Sequence, residues 1–150
     1  MHSKHLLGLA AAVVLTVATS AQLGPAQADV PAYNAAPPAK GHPLPPIMSG
    51  KQLTGESFQH PAQAKAYLAA AKIPGVIHQL PCYCYCGRSI GHNSLHSCFE
   101  SEHGAHCAVC MKEALYAYKE TKKGKTVKQI RNGVMRGDFD KIDLQNVTLD

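Results

Sequence analysis

The chain has 150 residues, of which 45% are hydrophobic and 17% are charged, and its formal net charge is +5. This length is typical of one domain, and an apolar fraction near the globular average of roughly 45 to 50% excludes a charge-rich disordered chain. Large core residues are scarce, because Trp is absent and there are 3 Phe.

The first 28 residues have the pattern of a secretory signal peptide. Lys4 precedes an apolar run at residues 6–18, and residues 26–28 read Ala-Gln-Ala, a small-x-small cleavage site. A run of 13 residues is too short for a bilayer-spanning helix, which needs about 20. We therefore expect residues 1–28 to be removed, no membrane span in the remaining chain, and a secreted or periplasmic location.

A Pro-rich linker is predicted over residues 29–55. Six prolines lie between Asp29 and Gly50, and they fix φ and remove backbone donors, so neither a helix nor a sheet can propagate. A Cys-rich helical domain is expected over residues 56–140. Residues 141–150 are expected to form a short tail.

Within this domain the sequence predicts two helices with a short extended run between them. Pro61 is a plausible first helical residue, and strong helix formers continue to Lys72, where Pro74-Gly75 ends the run. Residues 76–80 are predicted to be a short extended run. The pattern then predicts a second helix from about Ala105 to Lys123, with Gly124 just beyond its end.

A third helix is expected from Val127 to about Arg136, with Thr126 as its N-cap. Ile130 and Val134 are spaced four apart, as on the buried face of a helix. These elements together predict a mainly α fold, a small helical domain closed around a Cys/His-rich loop.

The six cysteines all fall between Cys82 and Cys110, a window of 29 residues. Cys82, Cys84 and Cys86 alternate, and in an extended chain alternate side chains lie about 7 Å apart, which is too far for a disulfide. If the loop curls, two or three thiolates can converge on one metal ion. The Cys-x-Cys-x-Cys pattern therefore favours metal binding over internal pairing.

The second half of the window has helical spacing. His103, His106, Cys107 and Cys110 lie at i, i+3, i+4 and i+7, although Gly104 argues against a helix that reaches back to His103. Cys107 and Cys110 should lie in the first turns of the second helix, where the helix dipole favours thiolates.

A short helix is also predicted between Gly91 and Phe99, capped by Asn93 or Ser94. His92 and His96 are spaced four apart within it and would lie on one face. Each of the four histidines of the window is a candidate ligand, with a solvated or locally hydrogen-bonded side chain as the alternative.

The first candidates for a metal site are the first two cysteines of the Cys-x-Cys-x-Cys motif and both cysteines of the Cys-x-x-Cys motif. The remaining two cysteines and two histidines come second. In that order they are Cys82, Cys84, Cys107 and Cys110, then Cys86, Cys98, His96 and His106. Zinc suits paired Cys-x-Cys and Cys-x-x-Cys ligands, and copper(I) suits the same thiolates. An iron–sulfur cluster on four cysteines is a further alternative, but the leader lacks the Arg-Arg pair expected for export of a folded, cofactor-loaded chain.

Other classes of function stay open from the residues alone. Six cysteines in an exported chain also suit three structural disulfides, and Cys107-x-x-Cys110 suits a thiol/disulfide oxidoreductase. A partner protein for metal or thiol exchange is consistent with either chemistry. No complete catalytic constellation is visible. The basic residues between Lys112 and Arg136 favour a solvated helix surface over a nucleic-acid site.

The cysteine pattern resembles that of the PCYCGC-motif or CYCXC family of bacterial exported proteins and lipoproteins. The residues that carry the resemblance lie between about 60 and 136: the Pro81–Gly87 motif, Gly91-His92, Cys98-Phe99, His103-Gly104-Ala105 and Cys107-Ala108-Val109-Cys110. The resemblance implies an exported location and a shared site rather than a defined activity. Some members resemble selenoproteins with selenocysteine at the variable position of the first motif, which is Tyr85 in this chain.

Overall fold

The computed structural model describes residues 29–149, so the predicted leader lies outside the described residues. The architecture is helical, and residues 29–149 contain no strand, which confirms the predicted mainly α class. The α-helices are α1 Pro61–Lys72, α2 Pro74–Ile77, α3 Cys86–Ile90, α4 Ala108–Lys122 and α5 Val127–Met135. Short 3₁₀ helices connect them at Gly50–Gln52, Glu56–Phe58, Leu95–Phe99, Glu102–His106 and Asp138–Lys141.

Helices α1 and α4 form the centre of the fold. The first helix begins at Pro61 and ends at Lys72, as predicted. Four of its five buried residues are alanines, and these small side chains allow α1 and α4 to approach closely. On α4, Cys110, Ala114 and Leu115 are fully buried, and Cys110 and Ala114 have the four-residue spacing of one helix face.

Helix α4 begins three residues later than predicted, at Ala108 rather than Ala105. Cys107 is its N-cap and has extended backbone, with φ −129° and ψ 107°. The preceding Glu102–His106 is a separate 3₁₀ helix. The end of α4 is as predicted: Gly124 has φ +77°, and the N–H of Lys125 reaches back to the carbonyl of Glu120 at 3.1 Å.

Helix α5 is confirmed with its cap. Thr126 precedes it, and the Thr126 hydroxyl accepts the backbone N–H of Gln129 at 3.3 Å, while the Gln129 side chain accepts the N–H of Thr126 at 2.8 Å. Ile130 and Val134 are buried against the core, as their spacing predicts. This helix closes the core beside α4.

The extended run predicted over residues 76–80 is wrong. Pro74 is the first residue of α2, and Ile77 and Leu80 are both fully buried at a helical spacing of three. Proline is favoured at the first helical position because its missing N–H would have no partner there. The Pro74-Gly75 pair therefore ends α1 and also starts the next helix.

Tyr67 connects α1 to the two 3₁₀ helices that lie within the cysteine window. Its ring packs edge-on against Phe99 with 4.8 Å between centroids. Its hydroxyl donates to the carbonyl of Ser101 at 2.5 Å and accepts the N–H of Ala105 at 3.2 Å. Because Tyr67 is fully buried and both hydrogen bonds go to backbone, it fixes where these segments lie relative to the helix pair.

The segments on either side of the helical core also contact it. Met48 donates its N–H to the carbonyl of Phe99 at 3.1 Å, and Lys65 donates to the carbonyl of Val147 at 2.7 Å. The proposed boundaries of linker, domain and tail stay predictions. None of the helices within residues 29–149 is both long and apolar enough to cross a bilayer.

Candidate metal centre

The Cys-x-Cys-x-Cys segment is a tight turn followed by a helix start. The N–H of Tyr85 bonds to the carbonyl of Cys82 at 3.1 Å, which closes the turn. Tyr85 itself has φ +56° and ψ +23°, the left-handed conformation, and it is the one non-glycine residue of positive φ among residues 29–149. Cys86 then becomes the first residue of α3. The chain therefore curls, and its sulfurs converge.

Three sulfurs form a first group. The Sγ atoms of Cys82 and Cys84 are 3.3 Å apart, and Cys110 Sγ lies 3.4 Å from Cys82 and 3.6 Å from Cys84. Cys110 reaches this group because it lies on the buried face of α4, in the first turn. Cys110, near the start of α4, thus contacts the cysteines of the loop, as predicted.

Two further sulfurs and an imidazole form a second group. Cys86 Sγ lies 3.4 Å from Cys98 Sγ and 3.2 Å from His92 Nδ1, and His92 Nδ1 lies 3.4 Å from Cys98 Sγ. Each member comes from a different element: the start of α3, the loop after it, and the 3₁₀ helix Leu95–Phe99. Folding rather than local spacing brings these three residues together.

His103 lies between the two groups. Three overlapping sets of four residues have ligand atoms within 4.8 Å of one another, and His103 belongs to two of them. The His103 Nε2 atom is buried and has no hydrogen-bond partner among residues 29–149. The sets are Cys82, Cys84, Cys86 and Cys98; Cys84, Cys98, His103 and Cys110; and Cys86, His92, Cys98 and His103.

These separations suit metal coordination. Ligands about 2.3 Å from a tetrahedral zinc ion are about 3.8 Å from one another, close to the sulfur distances in both groups. A disulfide needs about 2.05 Å between sulfurs, and all six cysteines are free thiols in this structure. The arrangement is therefore a Cys/His cluster with donors at metal-binding distance.

The other predicted ligands lie at the edge of the cluster or outside it. Cys107 is half-buried beside Cys84 and belongs to none of the three sets. His96 Nδ1 bonds to Glu100 Oε1 at 2.9 Å, and His106 Nε2 bonds to the Ser57 hydroxyl at 3.0 Å. Their role as ligands stays a prediction, and so does that of the cysteines.

The short helix predicted to carry both His92 and His96 is wrong in its extent. The observed 3₁₀ helix is Leu95–Phe99, with Ser94 as its N-cap, so His92 precedes it. Gly91 turns the chain before His92 with φ +75°. As a result the two imidazoles have different partners.

Two glycines allow the close approaches on which the cluster depends. A Cβ at Gly87 would lie 2.7 Å from the carbonyl oxygen of His92, and one at Gly104 would lie 2.9 Å from that of Cys98. Such contacts are shorter than van der Waals separation, so a larger residue would force the backbone apart. The start of α3 can therefore approach His92, and the two 3₁₀ helices can approach each other.

Glu113 lies fully buried behind the first group. Its Oε1 accepts the N–H of Tyr83 at 2.8 Å, while its Oε2 has no partner among the described residues. Burial away from water, and then the neighbouring Cys82, raise the pKa of this carboxyl well above its ordinary value. A protonated Glu113 would hold a proton next to the thiolates.

The thiols affect one another's ionisation. Hydrogen bonds from neighbouring thiols, Cys107 first, lower the pKa of Cys84, and the same proximity to Cys107 raises the pKa of Cys110. Burial raises the pKa of Cys86 to about 12. Without a cation, hydrogen bonds from neighbouring thiols therefore favour the thiolate form at Cys84 over that at Cys110 or Cys86. A bound cation would replace the thiol protons.

Burial, and then the nearby His103, lower the pKa of His92. The neutral imidazole that results is the form that binds metal ions. His92 and His103 are the cluster members that the sequence-based ranking placed below His96 and His106. α-Helical spacing does not select them, because His92 lies in a loop and His103 in a 3₁₀ helix. For His92, the turn signal of Gly91 was the available clue.

Comparison with known families adds one finding. Residues 56–138, more than half of the chain, match the model of the family described as protein of unknown function with PCYCGC motif. The chain reads Pro-Cys-Tyr-Cys-Tyr-Cys at 81–86, so Tyr85 stands where the motif has glycine. No curated protein and no solved structure matches the chain. The chain belongs to the family of proteins of unknown function with the PCYCGC motif.

Proposed function

We propose that the chain is an exported metal-binding protein that takes up zinc or copper(I) in the Cys/His cluster and serves in metal handling. The observation that carries the proposal is the convergence of seven donor residues, from four helices and the loops between them, into overlapping sets with 4.8 Å as the largest separation within each set. Cysteines that were buried only as small apolar side chains would not be expected to have the imidazoles of His92 and His103 within 4.8 Å of their sulfurs.

The burial of the cluster supports the same function. Cys98 and Cys110 are fully buried, and Cys82 and Cys86 are 4% exposed. Burying several thiolates without a cation is costly. Burying them as neutral thiols leaves groups that form only weak hydrogen bonds with one another. A bound ion offsets this cost and couples coordination to folding, which helps a core that is rich in alanine.

Access from solvent is consistent with loading. Cys84 and Cys107 are half-buried, whereas the other four cysteines are buried. Pro31 and Ala32 lie over another part of the cluster, where they line a space of about 10 Å³ with Cys82, Cys86 and His92. An ion would enter or leave beside Cys84.

The test is competition binding with the reduced, full-length secreted chain. We expect zinc or copper(I) to bind at least one ion per chain, to release protons, and to protect the cluster thiols from alkylation. The double variant C82S/C110S should lose affinity strongly, and H42A, which changes an exposed histidine of the Pro-rich segment, should not. Six freely alkylated thiols at saturating metal, with no proton release, would contradict the proposal.

A second function is favoured by the accessibility of Cys84. Its half-exposed sulfur lies 3.3 Å from Cys82 Sγ and 3.6 Å from Cys110 Sγ, and hydrogen bonds from Cys107 and the other thiols lower its pKa. Two such thiols could reduce a disulfide of a partner, forming one new disulfide and transferring two electrons and two protons. We expect Cys84 rather than Cys107 to be alkylated first if this reaction is the function; equal, slow alkylation of all six would contradict it.

A further inference from the structure

The cluster has more donors than one ion can use, and we propose that it is a binuclear site in which the sulfur of Cys98 bridges two divalent ions of the zinc class. This inference rests on the proposed metal-binding function and extends it to a number of ions, a bridging ligand and a charge. Four donors complete a tetrahedral ion, yet seven residues share this space.

The first ion would lie among four sulfurs. Cys82, Cys84 and Cys110 have Sγ separations between 3.3 and 3.6 Å. Cys98 Sγ lies within 4.8 Å of each of them, because it shares one set with Cys82 and Cys84 and another with Cys84 and Cys110. These residues form an all-sulfur subsite.

The second ion would lie among two sulfurs and two imidazoles. Cys86, Cys98, His92 and His103 have ligand atoms within 4.8 Å of one another. The two imidazoles cross edge-on, with 5.0 Å between ring centroids. The Nε2 atom of His103 is buried and has no hydrogen-bond partner among residues 29–149, and His92 Nδ1 lies 3.2 Å from Cys86 Sγ and 3.4 Å from Cys98 Sγ. This is a Cys₂His₂ subsite.

The two subsites have one residue in common. Two tetrahedra that share one corner have seven corners in total, and the seven residues of the cluster fill them when Cys98 is the shared corner. Cys98 is also the one member that occurs in all three overlapping sets. It is fully buried at the centre of the cluster, and a thiolate sulfur has lone pairs for two ions.

Charge favours divalent ions over copper(I). The five sulfurs of the cluster carry five negative charges as thiolates. Two divalent ions reduce the net charge to one negative, whereas two monovalent ions leave three. Four of these sulfurs are buried, so the larger residual charge would be costly to hold. Mixed sulfur and imidazole donors at tetrahedral spacing also suit zinc.

The first test is a titration of the reduced, full-length secreted chain with cobalt(II), followed by zinc, with elemental analysis after gel filtration. We expect two ions per chain. The variant H92A/H103A should retain one ion, held by the four sulfurs, and H42A should retain two. Circular dichroism of each variant checks that the helices persist. One ion in the wild type would overturn the binuclear site and leave the proposed function standing; no ion would contradict both.

The second test addresses the bridge. Two cobalt(II) ions that share a thiolate couple magnetically, so their paramagnetic resonance signal per ion should fall as the second ion binds. We expect this loss in the wild type and its absence in H92A/H103A, which holds one ion. Two bound ions with full, independent signals would overturn the bridging role of Cys98.

Discussion

Glu113 accepts the backbone N–H of Tyr83 through Oε1 at 2.8 Å, from a position in α4 that is fully buried. This hydrogen bond connects the helix that supplies Cys110 to the loop that supplies Cys82 and Cys84. It helps to fix the separation of these sulfurs, because it adds to the thiol contacts of Cys110 with Cys82 and Cys84 a hydrogen bond that does not depend on sulfur. Glu113 is thus a positioning residue for the first group.

Replacing Glu113 tests this role. E113A leaves the Tyr83 N–H without a partner, and we expect a loss of about 1 to 3 kcal/mol in the free energy of unfolding. Loss of this support should also weaken metal binding by roughly 10- to 100-fold. E113Q keeps the acceptor and resembles the protonated acid, so urea unfolding and metal competition should find it close to wild type. Equal damage by both variants would show that an ionised carboxylate is needed.

His96 provides a contrast with His92. Its side chain is 2% exposed and its Nδ1 bonds to Glu100, while His92 lies against two sulfurs. We expect H96A to lower stability by about 1 to 3 kcal/mol, since it empties a buried site and breaks a hydrogen bond. It should nevertheless keep the metal content of the wild type. A loss of metal from a folded H96A, measured by elemental analysis, would instead identify His96 as a ligand.

Tyr85 occupies a left-handed position at which the family motif has glycine. For most residues this conformation costs about 1 to 2 kcal/mol, and glycine avoids the cost. Y85G and Y85A both lose the contact of Tyr85 with Arg88 and the hydrogen bond to the Asp29 carbonyl. We expect Y85G to be more stable than Y85A by about 1 kcal/mol in urea unfolding. The reverse order would mean that the turn does not keep this backbone conformation.

Glu120 gives a pH-dependent prediction away from the cluster. Lys123, at 2.7 Å, and Lys125 lower the pKa of its carboxyl. A lowered pKa stabilises the folded chain above the ordinary value and loses that effect as pH falls through the folded value. E120Q should therefore be less stable by about 0.5 to 1 kcal/mol near neutral pH, and the difference should shrink in acid as pH falls through the lowered pKa of Glu120. A difference that persists in acid would point to packing instead.

Local sequence signals predicted the helices well. Pro61, the Thr126 cap and Gly124 mark helix ends because each satisfies or omits particular backbone hydrogen bonds within a few residues. The same reasoning misplaced the start of α4, where Cys107 adopts extended backbone, and it assigned extended structure to residues 76–80, where Pro74 begins a helix. Local signals describe a boundary only if no tertiary contact competes with it.

The sequence ranked most of the cysteines of the cluster correctly, except Cys107, but it did not separate His92 and His103 from the other two histidines of the window. The alternation of Cys82, Cys84 and Cys86 allowed their sulfurs to converge if the loop curled, and the helical spacing of Cys110 placed it on a buried face. His92 and His103 reach the sulfurs through the packing of 3₁₀ helices around Tyr67 and the close approaches at Gly87 and Gly104. Such long-range contacts leave no periodic pattern in the sequence.

The most direct measurement of the central claim is elemental analysis of the full-length chain, purified from the exported fraction under reducing conditions, combined with mass-spectrometric counting of free thiols in the same sample. The account predicts stoichiometric zinc or copper and thiols that become alkylated only after a chelator is added. Absence of metal together with six cysteines paired as disulfides would contradict it.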